Sequence, residues 1–580
     1  MKLRNLLPAA VILLSCTRVL KDGEYTLTVL STNDVHSTWF DSTYVGNGIK
    51  KSLFAMNYYI DSVRVADGVE NVLLVDAGDC LQGDNAAYYY NYIDTVTPHL
   101  FPRLIEYMHY DAIAMGNHDI ETGHPVYDRV EADLTRAGSP FLAGNAIRND
   151  NGKPYFPLYK VVAKAGLKIA IIGYNNANIS AWLGEEVWSG MHFESIVSLI
   201  QKDVDYVRSK EHPDVVVAAM HSACGRGDGT ILEAEALDAF NSVRGVDWLI
   251  CGHDHKPYVE TRDTCALLNS GSHSRYVAHG KMHLTVEKGK IVRKSFETDL
   301  IPVKAEKADP VMRDHFRKEF EAVRAFTLQE VGILNTPIRT RDAYTGPSDY
   351  INLIHTLCIG QKPATLSIAA PLTYNGKIDA GTLIFNDLFT LYPFENQLYV
   401  ITMTGAEVKD YLEASYDRWI ATWTKPGDHV LKIVQRDNAR FQQRGWSFAG
   451  QSYNFDSVAG LNYTVDVTKP RGERISISTL ADGSPFNPED RFNVAVTSYR
   501  ASGGGDLLEE AGIDTDRIND RVVARYPEIR NLLYDYLKEN GSIDPEVIGN
   551  PAVIGTWSFV PEKIAAPAVK ADMELLFGKE

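Results

Sequence analysis

Between Tyr25 and about Leu300, short runs weighted towards Val, Ile and Leu alternate with stretches of helical spacing. The runs at 26–32, 72–77, 112–115, 169–173, 215–220 and 248–251 each end in glycine or a polar group. That is the form of strands buried on both faces. Segments between them, such as 193–209, repeat apolar residues at helical intervals. The alternation predicts a layered α/β domain over 25–300. An amphipathic, charge-laced stretch at 309–326, opened by Asp309-Pro310, predicts a helix and places a connector at 301–330. A second domain is expected over 331–560, richer in aromatics, Gly and Pro. Its strand-like runs at 398–403, 463–467 and 492–496 mix with helices such as 407–416. The tail beyond about Val560 is expected to be peripheral. No internal repeat or low-complexity tract interrupts the chain.

Composition narrows the class. With 45% hydrophobic and 23% charged residues among 580, the chain is neither disordered nor collagen-like. A net charge of −17 argues against a nucleic-acid polymer as partner. An anionic small substrate stays open, because a bound cation reverses the field locally. At the N-terminus, Lys2 and Arg4 precede an apolar run from Leu6 to Leu14, the pattern of a secretory signal. Leu13-Leu14-Ser15-Cys16 resembles a bacterial lipobox, so residues 1–16 read as a lipoprotein signal that leaves a lipid on Cys16. The expectation is a protein of the bacterial cell envelope, periplasmic or surface-exposed, that meets the membrane only through this anchor. Five further cysteines remain, an odd number. Cys251 and Cys265 could pair, which the sequence leaves open. No Cys-x-x-Cys exists to build a cysteine-rich zinc site.

The residues just beyond the predicted strands carry the chemistry. The first strand leads into Asn33-Asp34-Val35-His36, the second into Gly78-Asp79, and the third into Gly116-Asn117-His118-Asp119. Run 215–220 leads into His221-Ser222, and run 248–251 into Gly252-His253-Asp254-His255. In open α/β sheets ligands bind beyond the carboxyl ends of the strands, so these groups are expected to converge. Asp, His and Asn suit borderline divalent cations such as Zn²⁺ or Mn²⁺. Two such ions about 3.5–4 Å apart need a bridging carboxylate and several further ligands each. Asp34, His36, Asp79, Asn117, His221, His253 and His255 supply that inventory.

In this order the five elements resemble the signature of metallophosphoesterases. Gly381 to Gly405, with Leu391-Tyr392-Pro393-Phe394-Glu395-Asn396, is similar to the C-terminal half of the 5′-nucleotidase family, as is Ser498-Tyr499-Arg500-Ala501-Ser502-Gly503-Gly504-Gly505-Asp506. The resemblance spans roughly residues 25–540. It implies an N-terminal αββα metallophosphatase sandwich and a C-terminal α/β nucleoside-binding domain. It also implies that one metal takes Asp34, His36, Asp79 and His255, and the other Asp79, Asn117, His221 and His253, with Asp79 as the bridge. His118 would contact the reacting phosphoryl group or leaving oxygen. Glu121 stands where the family usually has an Asp or Asn partner for that histidine.

The second domain is implied to choose a nucleotide substrate by clamping its base between Phe394 and Tyr499, with Asn396 and Asn117 also in contact. Gly503 to Gly505 lacks the P-loop pattern and reads as a flexible turn. The family's 5′-nucleotidases usually carry an Asn-Gly-Gly-x-Arg block. Here the corresponding stretch is Ser367-Ile368-Ala369-Ala370-Pro371-Leu372, with no arginine. That stretch, Tyr453-Asn454-Phe455-Asp456, Leu461-Asn462-Tyr463 and the pair Asp41 and Tyr44 resemble the 2′,3′-cyclic-nucleotide 2′-phosphodiesterase/3′-nucleotidase branch. The expectation is hydrolysis of 2′,3′-cyclic and 3′-nucleotides to nucleosides and phosphate. A 5′-nucleotidase or UDP-sugar hydrolase, and a non-catalytic surface nucleotide-binding lipoprotein, are the alternatives.

Overall fold

The structure, a computed structural model of the chain, describes residues 20–435 and 445–579. Cys16 and the expected signal lie outside the described residues. Strand Gly23–Thr32 sits inside a six-stranded sheet, pairing antiparallel with Tyr276–Glu287 and parallel with Val72–Asp76. Ala112–Ala114 and Phe141–Leu142 continue the sheet on one side, and Lys290–Pro302 closes the other. A second six-stranded sheet runs Tyr258–Thr261, Ala266–Asn269, Trp248–Cys251, Val215–Met220, Leu167–Tyr174, Tyr159–Lys164.

Successive strand side chains point to opposite faces, and the burial follows that period. Leu27, Val29, Leu73 and Val75 meet Ile169, Ile171, Val217 and Ile250 in a core between the sheets. The alternate residues Leu30, Val72 and Leu74 pack outward on helices Leu53–Asp67, Leu100–Met108 and His124–Ala137. On the other sheet, Ile172, Val216, Ala218 and Leu249 pack on Ile196–Glu211 and Ala236–Ser242. The expected αββα sandwich is what forms, and the helix expected over 193–209 begins three residues later because Met191–Phe193 is a short strand.

The connector is two helices, Pro310–His315 and Arg317–Thr327, divided at Phe316 (φ −100°, ψ 17°). Asp309 caps the first by accepting the Val311 and Met312 N–H groups at 2.8 and 3.2 Å. Arg313 pairs with Asp41, and Phe320 stacks on Tyr44 at 5.7 Å. Asp41 and Tyr44, taken from the sequence as a substrate signal, therefore anchor the connector to the first domain. Both are buried.

The second domain is built on a five-stranded sheet in the order Ser457–Ala459, Leu366–Ala369, Arg491–Thr497, Gln397–Thr404, Val522–Glu528. Helix Gly405–Trp419 covers one face through Tyr411, Leu412 and Trp419. Asp349–Gly360 and Ile529–Asn540 cover the other. The tail is not peripheral. Glu562–Phe577 is a helix whose Ala565, Val569 and Leu576 enter the domain core, and its buried Asp572 accepts the Val430 and Leu431 N–H groups, both at 2.8 Å. The domain therefore extends past 560 to about 577. Tyr88 of the first domain packs on Phe326 and Phe385, and its hydroxyl donates to Asn531 at 2.7 Å, which seats the two domains on each other.

Candidate active site

Asp34 and His36 follow strand Gly23–Thr32, Asp79 follows Val72–Asp76, and Asn117 and His118 open a short helix, Asn117–Glu121, after Ala112–Ala114. His221 directly follows Val215–Met220, and His253 and His255 follow Trp248–Cys251. Five of these residues hold a left-handed backbone: Asp34 (φ 47°), His36 (46°), Asp79 (61°), His253 (75°) and His255 (57°). Such positions cost roughly 1–3 kcal/mol each and persist only where surrounding structure over-determines them. At Asp79 that determination comes from Asp119. Its buried carboxylate accepts the N–H groups of Gly116 (2.8 Å), Asp79 (3.0 Å), Cys80 (2.9 Å) and Leu81 (2.9 Å), binding two loops together. Gly116 permits their approach, since a Cβ there would lie 2.2 Å from Asp79 Oδ1.

The side chains form two adjacent groups, Asp34–His36–His255 and Asp79–His221–His253, each with ligand atoms within 4.8 Å of one another. In the first, His36 Nε2 lies 2.9 Å from His255 Nε2, which lies 3.3 Å from Asp34 Oδ1. In the second, His221 Nε2 is 3.0 Å from Asp79 Oδ2. Asn117 Oδ1 is 3.0 Å from His253 Nδ1 and so belongs beside that group. The His253 N–H donates to Asp34 Oδ2 at 2.9 Å, tying the two groups together. Asp79 joins only the second group at this spacing, although its charge acts on His36.

The donor set fits divalent cations. His221 is fully buried; its Nδ1 faces the Ala77 carbonyl at 2.8 Å, and its Nε2 is aimed into the site beside Asp79 Oδ2. Gln82 lies 3.2 Å from His36 Nδ1 and fixes that ring in the same way. Burial pushes His36 and His253 down to about 3, leaving neutral imidazoles with free lone pairs. Burial alone would raise the Asp34 carboxyl, but its contact with His255 and the charge of His221 bring it down to about 2. Close-set imidazole and carboxylate donors are what Zn²⁺ or Mn²⁺ would accept.

His118 stands beside both groups. Its Nδ1 is 2.5 Å from Glu121 Oε2, its N–H donates to Asp79 Oδ1 at 2.9 Å, and its ring meets His36 edge-on at 5.4 Å. Burial opposes its protonation, but Asp79 and Glu121 outweigh that and raise it to about 10. The predicted histidine–glutamate pair is therefore formed, despite the longer acidic arm.

His118 also lines a cleft of about 220 Å³ that reaches into the second domain. Phe394, Asn396 and Tyr499 line it too, with Ile354, Ile368 and Leu372 as apolar wall. Phe394 and Tyr499 remain 41% and 40% exposed. Asn396 Nδ2 reaches the Tyr392 hydroxyl at 3.4 Å. The arginine-free stretch after Leu366 supplies part of the apolar wall. Arg500 and Asp456 line the cleft as well, but the guanidinium is already engaged, paired with Asp456 at 2.7 Å and donating to the Tyr453 carbonyl at 2.5 Å. The turn at 503–505 is shaped by Tyr499, because a Cβ on Gly504 would fall 2.4 Å from that ring.

Four site residues carry no assignment from the sequence: Gln82 beside His36, Asp119, Trp182, which stacks on His253 at 5.0 Å, and His273, which stacks on His36 at 5.0 Å. His273 follows the run Ala266–Asn269, so a sixth strand end was available as a signal. Trp182 comes from a short helix, Ile179–Trp182, with no strand-end context to flag it.

Residues 27–257 match the calcineurin-like phosphoesterase family, and residues 327–510 match the 5′-nucleotidase C-terminal domain. The trifunctional nucleotide phosphoesterase protein YfkN of Bacillus subtilis is 24% identical over 92% of this chain, which spans 39% of that longer protein. The 2′,3′-cyclic-nucleotide 2′-phosphodiesterase/3′-nucleotidase of Haemophilus influenzae is 25% identical over 92% of this chain and 87% of its own length. Among solved structures, a putative 5′-nucleotidase from Staphylococcus aureus superposes with a TM-score of 0.73 at 20% identity, over 92% of this chain and 99% of that one. The chain thus joins a calcineurin-like phosphoesterase domain to a 5′-nucleotidase C-terminal domain, and it is a phosphoric ester hydrolase of that family.

Proposed function

We propose that the protein is a dinuclear-metal nucleotide phosphoesterase that acts on 2′,3′-cyclic nucleotides and 3′-nucleotides. One observation carries the reading: His118 stands against the metal-ligand cluster, its N–H on Asp79, and also lines the cleft that holds Phe394 and Tyr499. A phosphate at the ligand groups would place its nucleoside in the cleft of the second domain. Asp34, His36 and His255 would hold one cation and Asp79, Asn117, His221 and His253 the other, with Asp79 reaching both. When bound, the two cations supply the positive charge that draws phosphoryl oxygens and acidifies water near neutral pH.

The remaining work falls to the chain. Phosphoryl transfer needs positioning and charge stabilisation more than covalent help. His118, protonated through Asp79 and Glu121, donates from Nε2 to the phosphoryl oxygen or to the departing ribose oxygen. On a 2′,3′-cyclic substrate the first cleavage breaks the bond from phosphorus to O2′ and leaves a 3′-monophosphate. The second breaks the bond to O3′ and frees nucleoside and phosphate. Phe394 and Tyr499 sandwich the base, and Asn396 hydrogen-bonds its edge. The apolar wall in place of an arginine grip, and the name of the Haemophilus relative, support the cyclic and 3′ preference over 5′. The N-terminal run with Cys16 supports export and lipid anchoring to the cell envelope, which labelled palmitate incorporation lost in Cys16→Ser would check.

The deciding experiment compares product release from 2′,3′-cyclic AMP, 3′-AMP and 5′-AMP with added Mn²⁺ or Zn²⁺. Faster turnover of the first two is expected. Preference for 5′-AMP would replace this substrate with the 5′ class, and metal loading without any product would leave a binding protein.

A further inference from the structure

Two thiols stand behind the second ligand group. Cys224 Sγ lies 3.7 Å from Cys251 Sγ, although the two are 27 positions apart in the chain. Neither takes part in the site as described. Cys251 ends its strand opposite Met220, and Cys224 lies four residues beyond Met220 on the neighbouring chain segment. Each thus sits at the root of a loop that carries a ligand, His221 on one side and His253 on the other. The Cys224 N–H donates to Asp254 Oδ2 at 3.3 Å, a second link between the same two loops. Cys265, the partner weighed from the sequence, is elsewhere. The register Trp248↔Ala266 puts it level with Asp247, at the far end of the strand and about 13 Å from Cys251 at roughly 3.3 Å per residue.

We propose that Cys224 and Cys251 form a dithiol–disulfide site, oxidised by a small-molecule disulfide such as oxidised glutathione, that clasps the loops bearing His221 and His253. Cys224 is partly exposed and Cys251 buried, which sets the order of events. The Cys224 thiolate attacks the small disulfide, forms a mixed disulfide and releases one thiol. Cys251 then attacks the Cys224 sulfur, forms the intramolecular bond and releases the second thiol. Two protein thiols and one small disulfide become one protein disulfide and two small thiols, which carry away both electrons and both protons. Bond formation draws the sulfurs from 3.7 Å to about 2.05 Å. The new bond shuts a covalent ring across both loops, so the opening that releases a cation from Asp79, His221 and His253 becomes rarer.

Peptide mapping of the metal-loaded full chain after treatment with oxidised glutathione tests this directly. A Cys224–Cys251 linked peptide that dithiothreitol reverses is expected, with Cys80, Cys265 and Cys358 still alkylated. Cys251→Ala should instead trap glutathione on Cys224, and Cys224→Ala should leave Cys251 unmodified. Loss of metal to a chelator should slow by about threefold or more in the oxidised chain. A persistent mixed disulfide on Cys224 in the unaltered chain, a link to Cys265, or no change at Cys224 would overturn the site. Faster metal loss after oxidation would overturn the clasp. None of these readouts uses nucleotide turnover, so this inference and the proposed activity fail separately.

Discussion

The ligand cluster of the first domain and the cleft of the second meet at His118, yet they are built in opposite ways. The cluster is polar and held in strained left-handed backbone by hydrogen bonds such as those to Asp119. The cleft is an apolar recess between ordinary strands and helices, where two aromatic rings stand in solvent. Chemistry at a cation demands donors fixed within tenths of an ångström, so strain is tolerated there. Stacking on a base asks only for flat surfaces at the right separation, and any base satisfies it. Substitutions should therefore act on different kinetic constants in the two regions.

The largest effect is expected from Asp79→Asn, which changes the carboxylate facing His221 and reaching towards the first group. Turnover should fall by more than about 10⁴-fold, beyond what one proton-transfer group supplies, with metal content by mass spectrometry falling in parallel. Retained activity would break the comparison at its root. Next, His118→Asn should lower kcat by about 10²–10³-fold while metal content holds. A loss of metal there would make His118 a ligand and not a proton donor.

Phe394→Ala combined with Tyr499→Ala should raise KM for nucleotides by about 10–100-fold, following stacking energies of roughly 1–3 kcal/mol per base. KM for a small alkyl phosphate should stay unchanged. Equal effects on both substrates would mean that the rings support the fold and do not hold a base.

The smallest effect concerns stability. His355 lies buried in the second domain between the hydroxyls of Ser367 (3.1 Å) and Ser457 (3.0 Å), and burial pushes it down to about 3. Its unfolded value is about 6.5, so the unfolded chain takes up a proton between pH 6.5 and 3 that the folded one refuses. Stability is full above 6.5 and should fall on acidification at up to about 1.4 kcal/mol per pH unit. His355→Gln should flatten that slope in denaturant titrations of the second domain. An unchanged slope would show that other groups govern acid unfolding.

Most of the ligand cluster was legible because each donor follows a run of buried strand residues, where a polar group stands out against its context. Val215–Met220 into His221 and Trp248–Cys251 into His253 coincide with the structure residue for residue. Less was legible wherever meaning depends on a contact made at a distance. Asp119 acts through four amide N–H groups that no spacing reveals. The break at Phe316 splits a helix whose apolar period runs on unbroken. The place of the tail was not legible either, since helix Glu562–Phe577 holds Pro567 in its interior, where the ring disfavours a helix. Packing on the second domain's core overrides that preference.

The Asp119 carboxylate has a practical consequence. A variant library scored only for dead enzyme would place Asp119 among the ion-binding residues, although its oxygens are spent on amides. Removing it frees two loops at once, so the fault would spread to groups that were never altered. Mapping such a centre by loss of output alone would therefore draw its boundary one layer too wide.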